Sequence, residues 1–447
     1  MQKNLTSGSV FKNIIYFSIP YLLSYFLQTL YGMADLYVTG QFNNADVITA
    51  VSVGSQVMHM ITVILVGLAM GTTVNISQAV GGKNSEGVSK TIGNTISLFS
   101  IIAVVATCFL LLLTNPIVTL MSTPVESIES TKQYLMICFL GILFITAYNV
   151  LSSIFRGMGD SKSPMYFIGI ACVINIVLDY ILIGPFQMGA VGAALGTVIS
   201  QTLSVLFALV SIRKKKMGIS ISRNHLRLHE KSIRNILQIG VPVALQDGFI
   251  QISFLLITII ANGRGVEIAA AVGIVEKIIC FLFLIPSSML STVSAIAAQN
   301  NGAGYHDRAR KTLRYGIIIC IVFGLIATIV CQFISVSFVG LFSDEKAVMV
   351  FGGQYLRSYV TDCMLAGIHF CFSGYFCAYN HSGFSFLHNV VSIVFVRVPG
   401  AYLASVWYPE NLFPMGLAAP MGSLLSSLLC ILLYHWLKKT IVSSKMS

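Results

Sequence analysis

Apolar residues in this chain come in long blocks. Runs of about 20 residues or more recur from end to end, near 14–40, 47–80, 91–113, 130–155, 164–183, 190–212, 233–261, 268–298, 312–340, 353–379, 385–408 and 412–437. A helix rises about 1.5 Å per residue, so each run can cross a hydrocarbon layer about 30 Å thick. A transmembrane β-barrel would instead show short segments of alternating polarity. The pattern predicts an all-α integral membrane protein with twelve transmembrane helices. The first run carries no small-residue cleavage site and reads as a helix, not a signal peptide.

The polar exceptions inside these runs point to chemistry. In the first run Tyr21, Ser24, Gln28, Tyr31 and Asp35 recur at steps of three and four, which places them on one helix face. A lipid-facing helix would not carry that stripe, and Pro20 is expected to bend the same helix. In the run 164–183, Asn175 and Asp179 lie one turn apart on one face, and Cys172 continues it. An Asp at the centre of a spanning helix costs about 2.5–3.5 kcal/mol on insertion scales. Such a residue faces a partner, a cavity or an ion. A packing polar pair is the plainer reading; a cation site is the favoured one. The small residues from Gly192 to Gly196 permit close helix contact, and Thr197 adds a hydroxyl.

Composition agrees with this class. The chain has 447 residues, 56% of them hydrophobic and only 10% charged, with mean hydropathy +0.84. The net charge of +11 is sorted along the sequence. Most Lys and Arg fall at the N-terminus, after every second run and in the tail, with the densest cluster from Arg213 to Arg234. By the positive-inside rule both termini are cytoplasmic, which requires an even number of spans. Nucleic-acid binding is excluded as the source of the basic balance, because no soluble domain exists to carry it. The Arg213–Arg234 cluster reads as an anchor to membrane lipid. The ten cysteines form no C-x-x-C pair and indicate neither a disulfide framework nor a zinc site.

The second half repeats the first. Ile19-Pro20 recurs as Val241-Pro242, Val53-Gly54 as Val272-Gly273, and Gln78-x-x-Gly81 as Gln299-x-x-Gly302. Met188-Gly189 recurs as Met415-Gly416, and Gly196-Thr197 as Gly422-Ser423. The order and near-constant offset predict two six-helix pseudo-repeated lobes, 1–212 and 233–447, joined by a basic cytoplasmic linker at 213–232. The halves differ in chemistry. Asp35, Asn175 and Asp179 have no acidic counterparts, whereas the second half carries Asp247, Glu276, Lys277, Asp362, His369 and Arg397 within its runs. These six form a possible substrate or charge network, with Lys277 expected to pair with Asp362 or Asp247. The string Gly157-x-Gly159-Asp160 superficially matches an intramembrane aspartyl protease, but its setting among Gly, Ser and Lys favours a turn.

On Pro20 with Asp35, the Gln78 and Gln299 loops, Arg156-Gly-x-Gly-Asp160 and Asn175-x-x-x-Asp179, the whole chain resembles the MATE (multidrug and toxic compound extrusion) family of the larger flippase and drug-exporter superfamily. The resemblance implies two lobes arranged as a V. It implies secondary antiport, in which a small amphipathic, cationic organic compound leaves in exchange for Na+ or H+. It implies that Asp35 is the proton- or cation-linked acid, that Asp179, Asn175 and Thr197 complete a monovalent cation site open to Na+, and that Gln28, Tyr134 and Asn149 form the surrounding network. No cofactor beyond the coupling ion, no enzymatic activity, a monomeric state and a bacterial cytoplasmic membrane location are expected. The sequence departs from the family pattern in two places. The loop Asn380 to Phe386 lacks any Lys or Arg, and the acid typical of the seventh helix does not map securely on Asp247, so the coupling ion stays open. A lipid-linked oligosaccharide flippase is the alternative, but it would want a basic cavity, and bases within the runs are few. An intramembrane enzyme would need a paired acid, Ser–Lys or His-x-x-x-His arrangement within a helix, which the runs lack, and the unequal acids do not favour a channel.

Overall fold

The computed structural model describes residues 4–215 and 222–443, and every regular element among them is helical. The first half runs α1 (Val10–Phe42), α2 (Ala45–Gly81), α3 (Ser85–Leu112), α4 (Thr114–Leu120), α5 (Ile128–Leu140), α6 (Ile142–Gly157), α7 (Lys162–Ile183) and α8 (Gly189–Lys215). The second runs α9 (Glu230–Asn262), α10 (Val266–Leu282), α11 (Leu284–Gly302), α12 (His306–Val339), α13 (Lys346–Tyr359), α14 (Asp362–Ala378), α15 (Ser382–Ser392), α16 (Val398–Trp407) and α17 (Phe413–Ser443). Among the described residues, eleven helices or joined helices are long and apolar enough to cross a membrane. The count is twelve when the pair Val125–Leu140 and Ile142–Gly157, bent by 49°, forms one span.

Several spans are interrupted midway. The α5/α6 bend falls at Gly141, where a Cβ would run into the side chain of Val198. α10 and α11 part at Phe283, just ahead of Pro286, whose missing N–H is tolerated in the first turn of a helix. α13 and α14 part at Val360 and Thr361. α15 and α16 are joined by a wide π turn, Ile393–Arg397, of the kind that often marks functional positions. By contrast α1 is continuous through Pro20, where Ser24 Oγ donates to the Pro20 carbonyl at 2.8 Å.

The chain divides into two compact units. The first holds residues 16–240 with the N-terminal five, and the second holds 6–15 with 241–447. Each half therefore opens on a helix whose start belongs to the other unit. In the first unit the opening of α9 packs on α2 so closely that a Cβ at Gly71 would fall on the Ile236 carbonyl, and one at Gly240 on the Leu68 carbonyl. In the second unit Arg308 holds the backbone carbonyls of Gly8 and Ser7 at 2.9 and 3.2 Å, and Phe11 packs on Tyr315.

The polar joints have plain local causes. Asp160 caps α7, accepting from the backbone N–H of Lys162 and Ser163 at 3.1 and 3.0 Å and from the Ser163 hydroxyl at 2.6 Å. Gly159 supplies the positive φ of that turn, at +84°. The Gly157-x-Gly159-Asp160 string is thus a helix junction. Where it is described, the basic linker is not a free tether. Its short 3-10 helix, Arg223–Leu226, docks on α3: Asn94 donates to the His225 carbonyl at 3.2 Å and accepts from the His229 N–H at 2.7 Å, while Ser97 donates to the Leu226 carbonyl at 2.7 Å. Lys3, Lys216 and Lys445 of the charge pattern lie outside the described residues.

Candidate functional site

In the first unit three helices bring acids and hydroxyls into one buried pocket. α1 supplies Tyr31 and Asp35, α7 supplies Asn175 and Asp179, and α8 supplies Gly196, Thr197 and Ser200. Asp35 is 2% exposed, and Asn175 and Asp179 are fully buried. Asp35 faces both Asp179 and Asn175. The Thr197 hydroxyl donates to Asp35 Oδ2 at 3.3 Å, and the Tyr31 hydroxyl lies 3.4 Å from Ser200 Oγ. Gly196 makes room for this cluster, since a Cβ there would fall on Asp179 Oδ1. Among the described residues, Asp35 Oδ1, both Asp179 oxygens and both polar atoms of the Asn175 amide have no hydrogen-bond partner. Two like charges about 4 Å apart repel by about 4 kcal/mol at an effective dielectric of about 20. Burial adds a desolvation penalty for each. A buried cluster of oxygens of this kind can take up a proton or a hard cation.

The supporting residues are placed less uniformly. Tyr134 is buried, lies within electrostatic reach of Asp35, and its hydroxyl sits 3.1 Å from Ser55 Oγ. Asn149 turns its amide back to the Ile145 carbonyl at 2.9 Å, so its N–H is engaged within its own helix. Gln28 is half-buried on the polar face of α1. At the far end of that face Arg156 stacks over the Tyr21 ring at 5.0 Å and donates to Ser153 Oγ at 3.2 Å.

In the second unit a cavity is lined by Asp362, His369 and Arg397 together with Asn389, Ser423 and Ser426, against an aromatic wall that includes Phe254 and Phe283. Asp362 opens α14 at the midspan break, and Arg397 closes the π turn. The Arg397 guanidinium donates to the Tyr359 hydroxyl at 2.7 Å and lies over the Phe254 ring at 4.8 Å. Its charge acts on both Asp362 and Glu276. Glu276 accepts from the Thr258 hydroxyl at 3.2 Å. The expected pairing of Lys277 with Asp362 or Asp247 is not found: Lys277 projects from α10 as an exposed side chain, and the cation set against Asp362 is Arg397. Asp247 is half-buried on α9 and takes no part in lining the cavity. His369 is linked onward, its ring 5.4 Å from that of His388, which lies between Ser373 Oγ at 2.9 Å and Ser426 Oγ at 3.3 Å.

The MatE family model matches this chain twice, over residues 20–181 and again over 242–403. The chain belongs to the MATE family. The two matches start at 20 and 242, an offset of 222 residues, and the pairs Pro20/Pro242, Gly54/Gly273 and Gln78/Gln299 fall within them. Among relatives, the probable multidrug resistance protein YpnP of Bacillus subtilis (strain 168) is 28% identical over 433 residues, covering 97% of this chain and 96% of that protein. The multidrug export protein MepA of Staphylococcus haemolyticus is 29% identical over 374 residues, covering 82% and 81%. Of solved structures, MATE in the bent conformation aligns with a TM-score of 0.92 at 21% identity over 99% of this chain and 98% of that one. A multidrug resistance MATE family transporter in an outward-facing conformation aligns at 0.90 and 22% identity, over 99% and 98%. At that identity these structures establish the fold. MATE proteins are transporters, which removes the enzyme reading and fits Asp160 as a cap.

Two members of the acid pocket lay outside the residues singled out as its ligands. Tyr31 was visible as part of the α1 stripe, one turn before Asp35. Ser200 follows Gly196 by one turn on α8 and could have been found by extending the Thr197 face.

Proposed function

We propose that this MATE protein is a multidrug exporter that works as a secondary antiporter, releasing small amphipathic organic cations in exchange for Na+ or H+ captured at the Asp35–Asp179 pocket. One observation carries the reading: two buried carboxylates face each other with three of their four oxygens lacking a partner among the described residues. Asp35, Asp179, Asn175 and Thr197 offer a cation oxygen atoms only, and a proton shared by the acids relieves the same repulsion. Capture of the ion stabilises the conformation that buries the acids, and loss of the ion destabilises it, so the ion gradient biases which side is open. The relatives' names support export of drugs over lipid-linked sugars. The acid-rich pocket also suits cations better than a pyrophosphate. The sorted basic residues support a cytoplasmic membrane location with both termini inside and lipid contact along the basic clusters. A monomer has all the pocket residues it needs.

The test is efflux of a cationic dye from vesicles under a sodium gradient alone and a proton gradient alone. The active gradient names the ion, and Asp179→Asn is expected to abolish efflux while the protein still inserts. Undiminished gradient-driven efflux by Asp179→Asn refutes the assignment.

A further inference from the structure

The two units hold comparable half-sites with opposite contents. In the first, Gly196 on α8 is approached by Asp179 and Asn175 of α7. In the second, the repeat partner Gly422 on α17 is approached by Ser392 Oγ and the Cβ of Arg397, at 2.8 and 3.2 Å from where its own Cβ would stand. The two family matches start 222 residues apart, and that offset carries Asn175 to Arg397 and Asp35 to Ile257, a buried core residue, while Gly196 and Gly422 lie 226 apart. Ser200 of the acid pocket has Ser426 as its counterpart four residues beyond Gly422, and Ser426 lines the second cavity. The first half-site gathers two acids and no base. The second gathers acids around a base.

We infer that Arg397 is a built-in cation of the second unit, its guanidinium standing where the repeat-related pocket takes its ion from solution, so that Asp362 and Glu276 bind no mobile cation. The guanidinium is fixed for that role. It is 8% exposed, bonded to the Tyr359 hydroxyl and stacked on Phe254; Arg397 and Asp362 line the same cavity, and among the described residues Arg397 Nε and both Asp362 oxygens have no hydrogen-bond partner. An arginine on a packed helix cannot leave, so this half carries a constant charge through the transport cycle, and ion exchange is confined to the first unit. The ionisable groups facing Arg397 and the cavity are Glu276 from α10, Tyr355 and Tyr359 from α13, Asp362 and His369 from α14, and, behind His369, His388 from α15. The inference rests on the proposed capture of a cation at Asp35 and Asp179.

The test uses the purified full-length protein and follows its melting temperature against NaCl at constant ionic strength and against pH. Asp35→Asn/Asp179→Asn is expected to flatten the wild-type response. Adding Arg397→Met is expected to create a new saturable sodium response or a new pH step, which Asp362→Asn then removes. Arg397→Lys keeps the charge and is expected to stay flat. No gain in the Arg397→Met protein, in either background, overturns the inference even if the first pocket behaves as proposed. A gain that depends on Asp362 supports it even if Asp35→Asn/Asp179→Asn turns out not to alter the wild-type response, a result that counts against the first pocket alone. Should Arg397→Met fail to fold, Asp362→Asn in the otherwise unchanged protein decides: an unaltered sodium or pH midpoint supports the built-in cation, and a lost response overturns it.

Discussion

Gly196 shows how finely the acid pocket is fitted. The added methyl of Gly196→Ala would occupy the place of Asp179 Oδ1, so the carboxylate or α8 must move. Overpacking of this kind costs about 1–3 kcal/mol. We expect a lower melting temperature together with a weakened sodium or proton response, read by thermal unfolding across ion concentrations. Gly32→Ala, where a Cβ meets nothing within 4 Å, is the control and is expected to leave both unchanged. Asp35, Asn175 and Asp179 were legible in the sequence because buried acids are expensive in an apolar run, so each announces itself. Their convergence was not legible, because Thr197 lies 162 residues from Asp35 and nothing local fixes which helices touch. The misplaced partner of Asp362 has the same origin. Glu276 and Lys277 differ by about 100° around α10, and on a helix apolar on nearly every side periodicity does not say which of the two turns inward.

At the scale of the helix, the twelve spans were visible because hydropathy over about 20 residues is a strong signal. Their interruptions were not. At Gly141 and Phe283 the apolar run continues across the break, so hydropathy does not mark it, and at Val360 the polar residues from Arg357 to Asp362 flank the break without dividing the run in two. Those breaks matter to function, because Asp362 is offered to its cavity by the start of α14. The cap at Asp160 was read only as a turn. Asp160→Ala removes three hydrogen bonds from the start of α7, the helix that carries Asn175 and Asp179, and is expected to cost about 1 kcal/mol. Asp160→Asn keeps an acceptor and is expected to lose less. Comparing the melting temperatures of the two variants checks the order.

At the scale of the whole chain, the repeat was readable from five paired short motifs because turns and close contacts demand particular residues at particular places. The exchange of helix starts was hidden, since a boundary drawn from charge follows the linker and not the packing. Residues 235–240 belong to the first unit although they lie beyond the basic cluster. A fragment ending at residue 220 is therefore expected to be degraded or to melt early when expressed alone, and one ending at residue 262 to accumulate to a clearly higher level. Immunoblots of membranes from cells making each fragment decide this. Equal levels would mean that the Gly71 and Gly240 contacts contribute little.

That exchange also sets an order of events during synthesis. The ribosome cannot finish the first bundle when it reaches the end of α8. The α2 surface around Gly71 stays uncovered until the chain has crossed the linker and delivered Ile236 and Gly240, so the newborn protein waits, half-built, for its second half to begin.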